Sequence, residues 1–133
     1  LFERTRIKPG SPLMLAKRSG CTFIGMPGYP AAFTTNLLFY VLPALRKAHG
    51  MKDNEFKVVD AKMTGDTRAK EGRFELNRAV VSVKDGQFYA SDAGTQKTSH
   101  YNSFAMVNGL LLLDEKTGSL VKGDTVKVLL VDI

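Results

Sequence analysis

The pattern of hydrophobic and polar positions changes character near Asn54. Before this point three short β-runs precede one helical run, and after it only β-runs occur. The β-runs are Arg4 to Lys8, Leu13 to Lys17 and Cys21 to Met26, the last predicted to be a buried strand. Apolar residues at helical spacing follow, which predicts one apolar helix face made of Leu38, Val41, Leu42 and Leu45. Gly50 is expected to stop this helix, and Pro43 to kink it or end its first half.

The remainder of the chain predicts an all-β unit. Asp85-Gly86 is its strongest hairpin signal, and a change of alternation near Arg78 predicts a β-bulge there. The last run is apolar on both faces, which predicts a central strand. About five strands in so short a segment indicate a small barrel or sandwich. The runs are Phe56 to Met63, Phe74 to Lys84, Gln87 to Ser91, Ser103 to Leu113 and Asp124 to Ile133.

These patterns predict an α+β chain with two parts. Residues 1–54 hold three strands and one helix, too little to bury a core of their own, and we expect them to complete a larger α/β domain. Residues 55–133 form the all-β, barrel-like part. Because the sequence opens on the apolar pair Leu1-Phe2 without Met, we expect it to be the carboxy-terminal piece of a longer protein.

Composition narrows the class of protein. Of the 133 residues, 44% are hydrophobic and 24% charged, as in ordinary globular proteins, and no apolar run approaches the roughly 18 residues of a transmembrane helix. The chain is therefore predicted to be cytoplasmic, with no membrane partner. The single cysteine, Cys21, cannot close an internal disulfide or complete a zinc site, and a small apolar strand residue is the expected role for it. No metal ligands are assigned.

The net charge of +6 belongs entirely to the first part. Residues 1–54 contain eight Lys and Arg against two acidic residues, whereas residues 55–133 contain 11 of each. Nearby aromatic residues, Phe33, Phe39 and Tyr40, lie at helical spacing and do not interleave with the basic residues as in a stacking surface for nucleic acid. The charge therefore favours local attraction of an anion and argues against a nucleic-acid partner.

A strand, a Gly/Pro loop and a helix follow one another at Ile24 to Ala32. The first turn of a helix presents unpaired N–H groups and a partial positive charge, which suit a phosphate or another oxyanion. Gly28 lets a ligand approach the backbone, and Pro27 and Pro30 fix the loop on either side. The alternative is that these residues only form a tight turn, since the lysine and hydroxyl of a P-loop are missing.

Three consecutive motifs resemble one protein family. Lys8-Pro9-Gly10-Ser11-Pro12, Gly25-Met26-Pro27-Gly28-Tyr29-Pro30 and Pro43-Ala44-Leu45-Arg46-Lys47 are similar to the KPGKP, GLPGNP and PALRK signatures of the molybdopterin molybdenumtransferases, the MoeA and gephyrin E-domain type. Gly72-Arg73, Asp85-Gly86 and the stretch ending Asn108-Gly109 resemble the carboxy-terminal β domain of that family. Ser11 and Tyr29 depart from the family lysine and asparagine.

The resemblance implies an enzyme that inserts molybdate into adenylylated molybdopterin and releases AMP in a Mg²⁺-dependent reaction. It implies a homodimer for the full-length protein, with residues 1–54 ending a pterin-binding α/β domain. Its acidic Mg²⁺ ligands and catalytic residues would precede Leu1, so the catalytic residues are unknown and the piece alone is expected to be inactive. The alternative is a non-catalytic scaffold module that recognises a partner peptide through an apolar groove or edge strand.

The predicted site combines the resemblance with the chemistry of the side chains. Lys8 could present an ammonium to an oxyanion and Ser11 a hydroxyl, although Lys8 could equally be a solvated surface residue. Arg73 and Arg78 could reach the same anion or pair with neighbouring glutamates, and the Thr98 and Ser99 hydroxyls could be ordinary turn residues. The candidate substrate-binding residues are Lys8, Gly10, Ser11, Pro27, Gly28, Tyr29, Pro30, Arg73, Arg78, Thr98 and Ser99.

Overall fold

The computed structural model describes residues 1–52, 56–96 and 106–131. The chain divides into two compact units, residues 1–55 and residues 56–133. The first holds strands β1 (Phe2–Arg4), β2 (Ile7–Lys8), β3 (Pro12–Arg18) and β4 (Cys21–Gly25) and the helical segment. The second holds β5 (Val58–Met63), β6 (Phe74–Lys84), β7 (Gln87–Asp92), β8 (Gly109–Leu113) and β9 (Thr125–Leu130).

An antiparallel sheet of order β1-β3-β4 forms the first unit's strand layer. The single strand predicted from Arg4 to Lys8 is wrong: it is broken into β1 and β2, because Thr5 turns its backbone N–H to the carbonyl of Ser11 at 2.9 Å. The β3–β4 hairpin turns at Ser19 and Gly20, which both have positive φ, as a two-residue turn of type I′ requires.

Strand β4 is not buried as the sequence predicted. All five of its residues are exposed, with Phe23 at 58% and Ile24 at 37%. It lies at the edge of the three-stranded sheet, so only β3 pairs with it within that sheet. Cys21 begins this strand, as expected for a strand residue, but it is exposed like the rest of β4. An apolar run shows only that a strand is suited to burial. Whether the strand is buried depends on which layer of the fold packs against it.

The helical segment runs from Pro30 to Ala48 as α1 (Pro30–Asn36), a π-helical turn (Leu37–Val41) and α2 (Leu42–Ala48). Pro43 is the second residue of α2, so the change from π-helical to α-helical geometry comes directly before it. The wider π turn precedes it, with Leu42 N–H donating to the carbonyl of Leu37, and such a turn relieves the crowding that a proline ring causes in the preceding turn. Of the predicted apolar face, Leu38 is buried, whereas Leu45 is 49% exposed.

The second unit is a closed five-stranded barrel. Its strand order is β6-β7-β5-β9-β8, and pairing of β6 with β8 closes the ring. Among the described strand pairs of the barrel, β5 and β7 alone run parallel. The α+β class and the barrel predicted from the sequence are confirmed. Strand β9 lies between β5 and β8, which also confirms its predicted central position. Asp85 and Gly86 both have positive φ at the β6–β7 hairpin, as predicted.

No bulge interrupts β6, so that prediction is wrong. Its register with β8 runs residue for residue from Glu75↔Leu113 to Ala79↔Gly109, and its register with β7 continues from Ala79↔Asp92. The side chains of the odd-numbered β6 residues lie on the same face along the whole strand, and two of them, Ala79 and Val81, belong to the apolar core. The alternation seemed to shift because Asn77 is a buried polar residue on that face, where its Nδ2 donates to Thr67 Oγ1 at 3.1 Å and Arg68 O at 3.2 Å.

The barrel core is small and tightly packed. Its largest members, Met63, Leu111 and Leu113, are at most 2% exposed, and the small residues Ala61, Ala79 and Ala90 are fully buried between them. Gly109 begins β8 at a point where strands approach closely: a Cβ there would lie 2.5 Å from Val81 Cγ2 and 2.9 Å from Val128 Cγ1. The interior is therefore filled by side chains.

Candidate oxyanion-binding site

Residues 8–11, here called the Lys8–Ser11 turn, connect β2 to β3. Lys8 is exposed, whereas Gly10 is buried with φ of +117°, a conformation that glycine adopts readily. Thr5 holds the turn from one side, since its Oγ1 donates to the Gly10 carbonyl at 3.3 Å. Ser11 Oγ donates to the Thr5 carbonyl at 2.8 Å. The Ser11 hydroxyl therefore uses its only hydrogen inside the turn, so it cannot donate to an anion in this arrangement.

The strand–loop–helix junction lies between the end of β4 and Pro30. Tyr29 occupies the N-cap position with extended backbone, makes no side-chain cap bond and is 66% exposed. Its carbonyl accepts from Phe33 N–H at 2.8 Å. Because proline has no N–H, the first-turn amides without an intrahelical acceptor are those of Ala31 and Ala32, the residues that follow it. Nothing lies within 4 Å of a Cβ placed on exposed Gly28, so this loop is open to a ligand.

The Lys8–Ser11 turn packs against the helical segment at two points. A Cβ placed on Gly10 would lie 2.6 Å from Asn36 Oδ1 and 3.6 Å from the carbonyl of Ala32, which belongs to the first turn of α1. Asn36 Nδ2 also donates to the Pro12 carbonyl at 3.2 Å. The two parts of the predicted site therefore lie beside the same end of the helical segment.

The two predicted barrel arginines are already engaged in the second unit. Arg73 Nε lies 2.8 Å from Glu75 Oε1. This is the pairing with a neighbouring glutamate that the sequence left open as an alternative to anion binding. Arg78 is 2% exposed and donates from Nη2 to the Thr95 carbonyl at 2.8 Å. Burial lowers the pKa of Arg78, and the Asp92 carboxylate acts in the opposite direction. Roles for Arg73 and Arg78 in substrate binding stay predictions.

Two side-chain amides extend the barrel's hydrogen bonding beyond the ends of its strands. Gln96 accepts from the Arg78 N–H at 2.9 Å and donates to the Arg78 carbonyl at 3.0 Å. Asn108 does the same at Val81, accepting at 2.6 Å and donating at 2.9 Å. Both therefore act as substitutes for a paired strand residue on β6. Thr98 and Ser99, which lie between them in sequence, are outside the described residues, and their predicted role is untested.

Sequence reasoning missed the residues that hold the Lys8–Ser11 turn. They are Thr5 and Asn36. Nearby, burial raises the pKa of Tyr40, and a hydrogen bond with the Thr5 side chain partly opposes this. A signal for Asn36 was present, because it ends the polar run Thr34-Thr35-Asn36 between apolar residues of the helical stretch, and polar residues need a partner when they are buried.

Neither a metal site nor a membrane span is found in the described part of the chain. In residues 1–52, 56–96 and 106–131, no three His, Cys, Asp or Glu side chains are grouped so that they could hold a metal ion. The described residues therefore do not offer a donor set that fits Mg²⁺. Within the same ranges, none of the helices is both long and apolar enough to cross a membrane.

A strand–loop–helix unit followed by a closed five-stranded barrel defines the class of this chain as an α+β protein. Residues 60–131 match the family model of the MoeA C-terminal region, domain IV. The match covers more than half of the chain, which therefore belongs to that family of molybdenum cofactor biosynthesis proteins.

Similar proteins agree with this assignment. The chain is 34% identical over 116 residues to the molybdenum cofactor synthesis protein cinnamon of Drosophila melanogaster, covering 86% of this chain and 19% of that protein. It is 26% identical over 131 residues to the molybdopterin molybdenumtransferase of Bacillus subtilis, covering 98% and 30%. It thus spans about a fifth to a third of the curated relatives it matches.

Solved structures show the same fold. A molybdenum cofactor biosynthesis protein from Pyrococcus furiosus matches with a TM-score of 0.76 and 29% identity, covering 98% of this chain and 45% of that one. A molybdopterin biosynthesis moeA protein from Pyrococcus horikoshii matches with a TM-score of 0.77, 24% identity and coverage of 98% and 32%. At that identity, the second match concerns the fold alone.

Proposed function

We propose that this chain supplies the pterin- and anion-binding part of an enzyme that inserts molybdate into adenylylated molybdopterin. The observation that carries the proposal is the pairing, in one unit, of an exposed Lys8 on a fixed turn with an uncapped helix start at Tyr29-Pro30. The basic excess of residues 1–54 adds to the attraction of an anion. Membership of a molybdenum cofactor biosynthesis family supplies the class of ligand.

In this proposal the chain's own residues bind and orient the substrate. The Lys8 ammonium attracts one oxyanionic group, and the amides of Ala31 and Ala32 receive another at the helix start. Both alanines are buried, whereas Gly28 and Tyr29 are exposed, so the ligand would approach from the loop side. Adenylylated molybdopterin carries linked phosphates, so one ligand could supply the oxyanionic groups for both contacts.

The proposal also includes a metal ion, a domain assignment and an assembly that the described residues do not test. Mg²⁺, when bound, would neutralise phosphate charge, and its ligands would come from the length that the relatives have beyond this sequence. We further propose that residues 1–54 end a molybdopterin-binding α/β domain and residues 55–133 form its carboxy-terminal barrel. A homodimer in the cytoplasm, without nucleic acid or membrane partners, completes the proposal.

The proposal is tested by titrating the whole chain with inorganic phosphate and molybdate at low salt while recording amide NMR spectra. Resonances of the Lys8–Ser11 turn and of Gly28 to Phe33 should shift, and the affinity should fall as salt screens the charge. Lys8→Met should weaken the turn contact. Gly28→Val should obstruct the helix start without straining the turn, because Gly28 has open space and no positive φ. Shifts that are absent, or unchanged in both variants, would refute the site.

A scaffold function is the second candidate, and the first unit's sheet favours it. Phe2, Leu15 and Ile24 lie opposite one another across β1, β3 and β4, and they are 47%, 43% and 37% exposed. Strand β4 is also an edge of this sheet, which suits addition of a partner strand. Two mutations distinguish the two functions. Leu15→Lys should abolish binding of a peptide partner and leave phosphate binding intact. Lys8→Met should weaken phosphate binding and leave binding of the peptide partner intact.

A further inference from the structure

Asn36 is a fully buried amide at the end of α1. It is 0% exposed, and its Nδ2 donates to the Pro12 carbonyl at 3.2 Å. Its Oδ1 is also buried and has no hydrogen-bond partner among the described residues. Burying a polar atom without a partner costs free energy, and a leucine of nearly the same shape would avoid that cost. The amide is therefore a poor choice for packing alone.

The side chain of Asn36 lies against the Lys8–Ser11 turn. A Cβ placed on Gly10 would lie 2.6 Å from Asn36 Oδ1 and 3.3 Å from its Cγ, so the amide packs on the Gly10 Cα where only glycine leaves room. Through Pro12 the same amide binds the residue that follows the turn. Asn36 thus contacts both the middle of the turn and its exit into β3.

Thr5 contacts the turn from its other side. It donates to Gly10 O and Ser11 O and accepts from Ser11 Oγ. Hydrogen bonds on one side and a packed amide on the other leave the backbone of the turn little freedom. A turn that is rigid before the ligand arrives loses less conformational entropy on binding, which raises affinity without adding a contact.

We propose that Asn36 is a positioning residue that, with Thr5, holds the Lys8–Ser11 turn in its anion-binding form. The inference rests on the proposed function, because it gives the turn's rigidity a purpose. Asn36 does not itself meet the ligand in this account; it acts through the backbone of residues 8–11. The ligand class is the oxyanion proposed above.

The test measures phosphate affinity of the whole chain by NMR titration for Asn36→Leu and Asn36→Ala, with Thr35→Val as the control. Thr35 is the neighbouring buried polar residue of α1, so the control reports the cost of altering that helix. We expect Asn36→Leu to weaken binding about three- to tenfold, a range typical of coupled positions, while the chain stays folded. The Thr5 amide, which donates to Ser11 O, should also exchange with solvent faster.

A double-mutant cycle with Lys8→Met separates positioning from a general loss of stability. If Asn36 acts through the turn, Asn36→Leu should have little further effect on phosphate affinity once Lys8 is removed. If Lys8→Met leaves affinity unchanged, the proposed function fails. If Lys8→Met weakens binding but both Asn36 variants behave like Thr35→Val, the proposed function stands and the role of Asn36 is overturned. Asn36→Ala serves this comparison if the leucine variant does not fold.

Discussion

Replacement of Gly109 by alanine tests the closure of the barrel. The added Cβ would lie 2.5 Å from Val81 Cγ2 and 2.9 Å from Val128 Cγ1, distances that side chains do not tolerate without movement. Both partners are valines, whose χ1 angles are stiff, and they are 9% and 0% exposed. The strands would have to separate, because neither valine can rotate away freely.

Two effects of opposite sign set the magnitude for Gly109→Ala. Overpacking a filled core costs about 1–3 kcal/mol. Alanine also restricts the unfolded chain, which stabilises by about 0.4–1 kcal/mol where the native backbone accepts it, and Gly109 has no positive φ. The overpacking cost is larger, so we expect a net loss of about 0.5–2 kcal/mol. For a unit of this size each kcal/mol lowers Tm by about 4–8 °C.

Urea and thermal unfolding of three variants measure this effect. Gly65→Ala is the control, because nothing lies within 4 Å of a Cβ there and its φ is ordinary, so it should be neutral or slightly stabilising. Val81→Ala combined with Gly109→Ala should be less destabilised than the sum of the two single variants, since the smaller side chain makes room. A stabilised Gly109→Ala, or strict additivity in the pair, would show that the barrel is not closed as tightly as described.

Three further outcomes are expected. Asn108→Leu removes two hydrogen bonds to Val81, so it should lower the free energy of urea unfolding by about 1–3 kcal/mol and speed exchange of the Val81 amide. Asn108→Asp keeps the acceptor for the Val81 N–H, so its loss of stability should be smaller. The Thr117 hydroxyl and the amides of Lys116 and Thr117 lower the pKa of Asp114, so this carboxylate stabilises the fold above the ordinary aspartate pKa and stops doing so as acidification protonates it. Asp114→Asn should therefore flatten the loss of stability in acid; an unchanged acid profile would contradict this. The purified chain should show no turnover with adenylylated molybdopterin, Mg²⁺ and molybdate, and measurable AMP release would contradict that expectation.

Local chemistry explains which parts of the fold could be predicted. The Asp85-Gly86 hairpin and the central position of β9 follow from turn preferences and two-sided hydrophobicity, which are properties of short segments. The burial of β4 could not be predicted in the same way, because it depends on which layer packs against the strand. The bulge expected near Arg78 failed for another reason: Asn77 faces the interior as a satisfied polar residue, and an alternation of residue types cannot show this.

The candidate site was predictable only in outline. The Gly/Pro loop and the lysine turn could be found by their motifs, since turns and helix starts depend on local residue types. The contacts that fix the turn could not, because Thr5, Ser11 and Asn36 meet only in the folded chain and Asn36 is 25 residues beyond Ser11. The pairing of Arg73 with Glu75 was one of two alternatives at the sequence level, and side-chain geometry decided between them.

Binding of adenylylated molybdopterin to the whole chain tests the central claim most directly. We expect calorimetric titration at low salt to show binding that weakens as salt is added, competes with inorganic phosphate and is reduced by Lys8→Met. Amide shifts recorded in the same titration should concentrate in the Lys8–Ser11 turn and in Gly28 to Phe33. Binding that is absent, or that persists unchanged in Lys8→Met and Gly28→Val while shifts occur only in the barrel, would contradict the account.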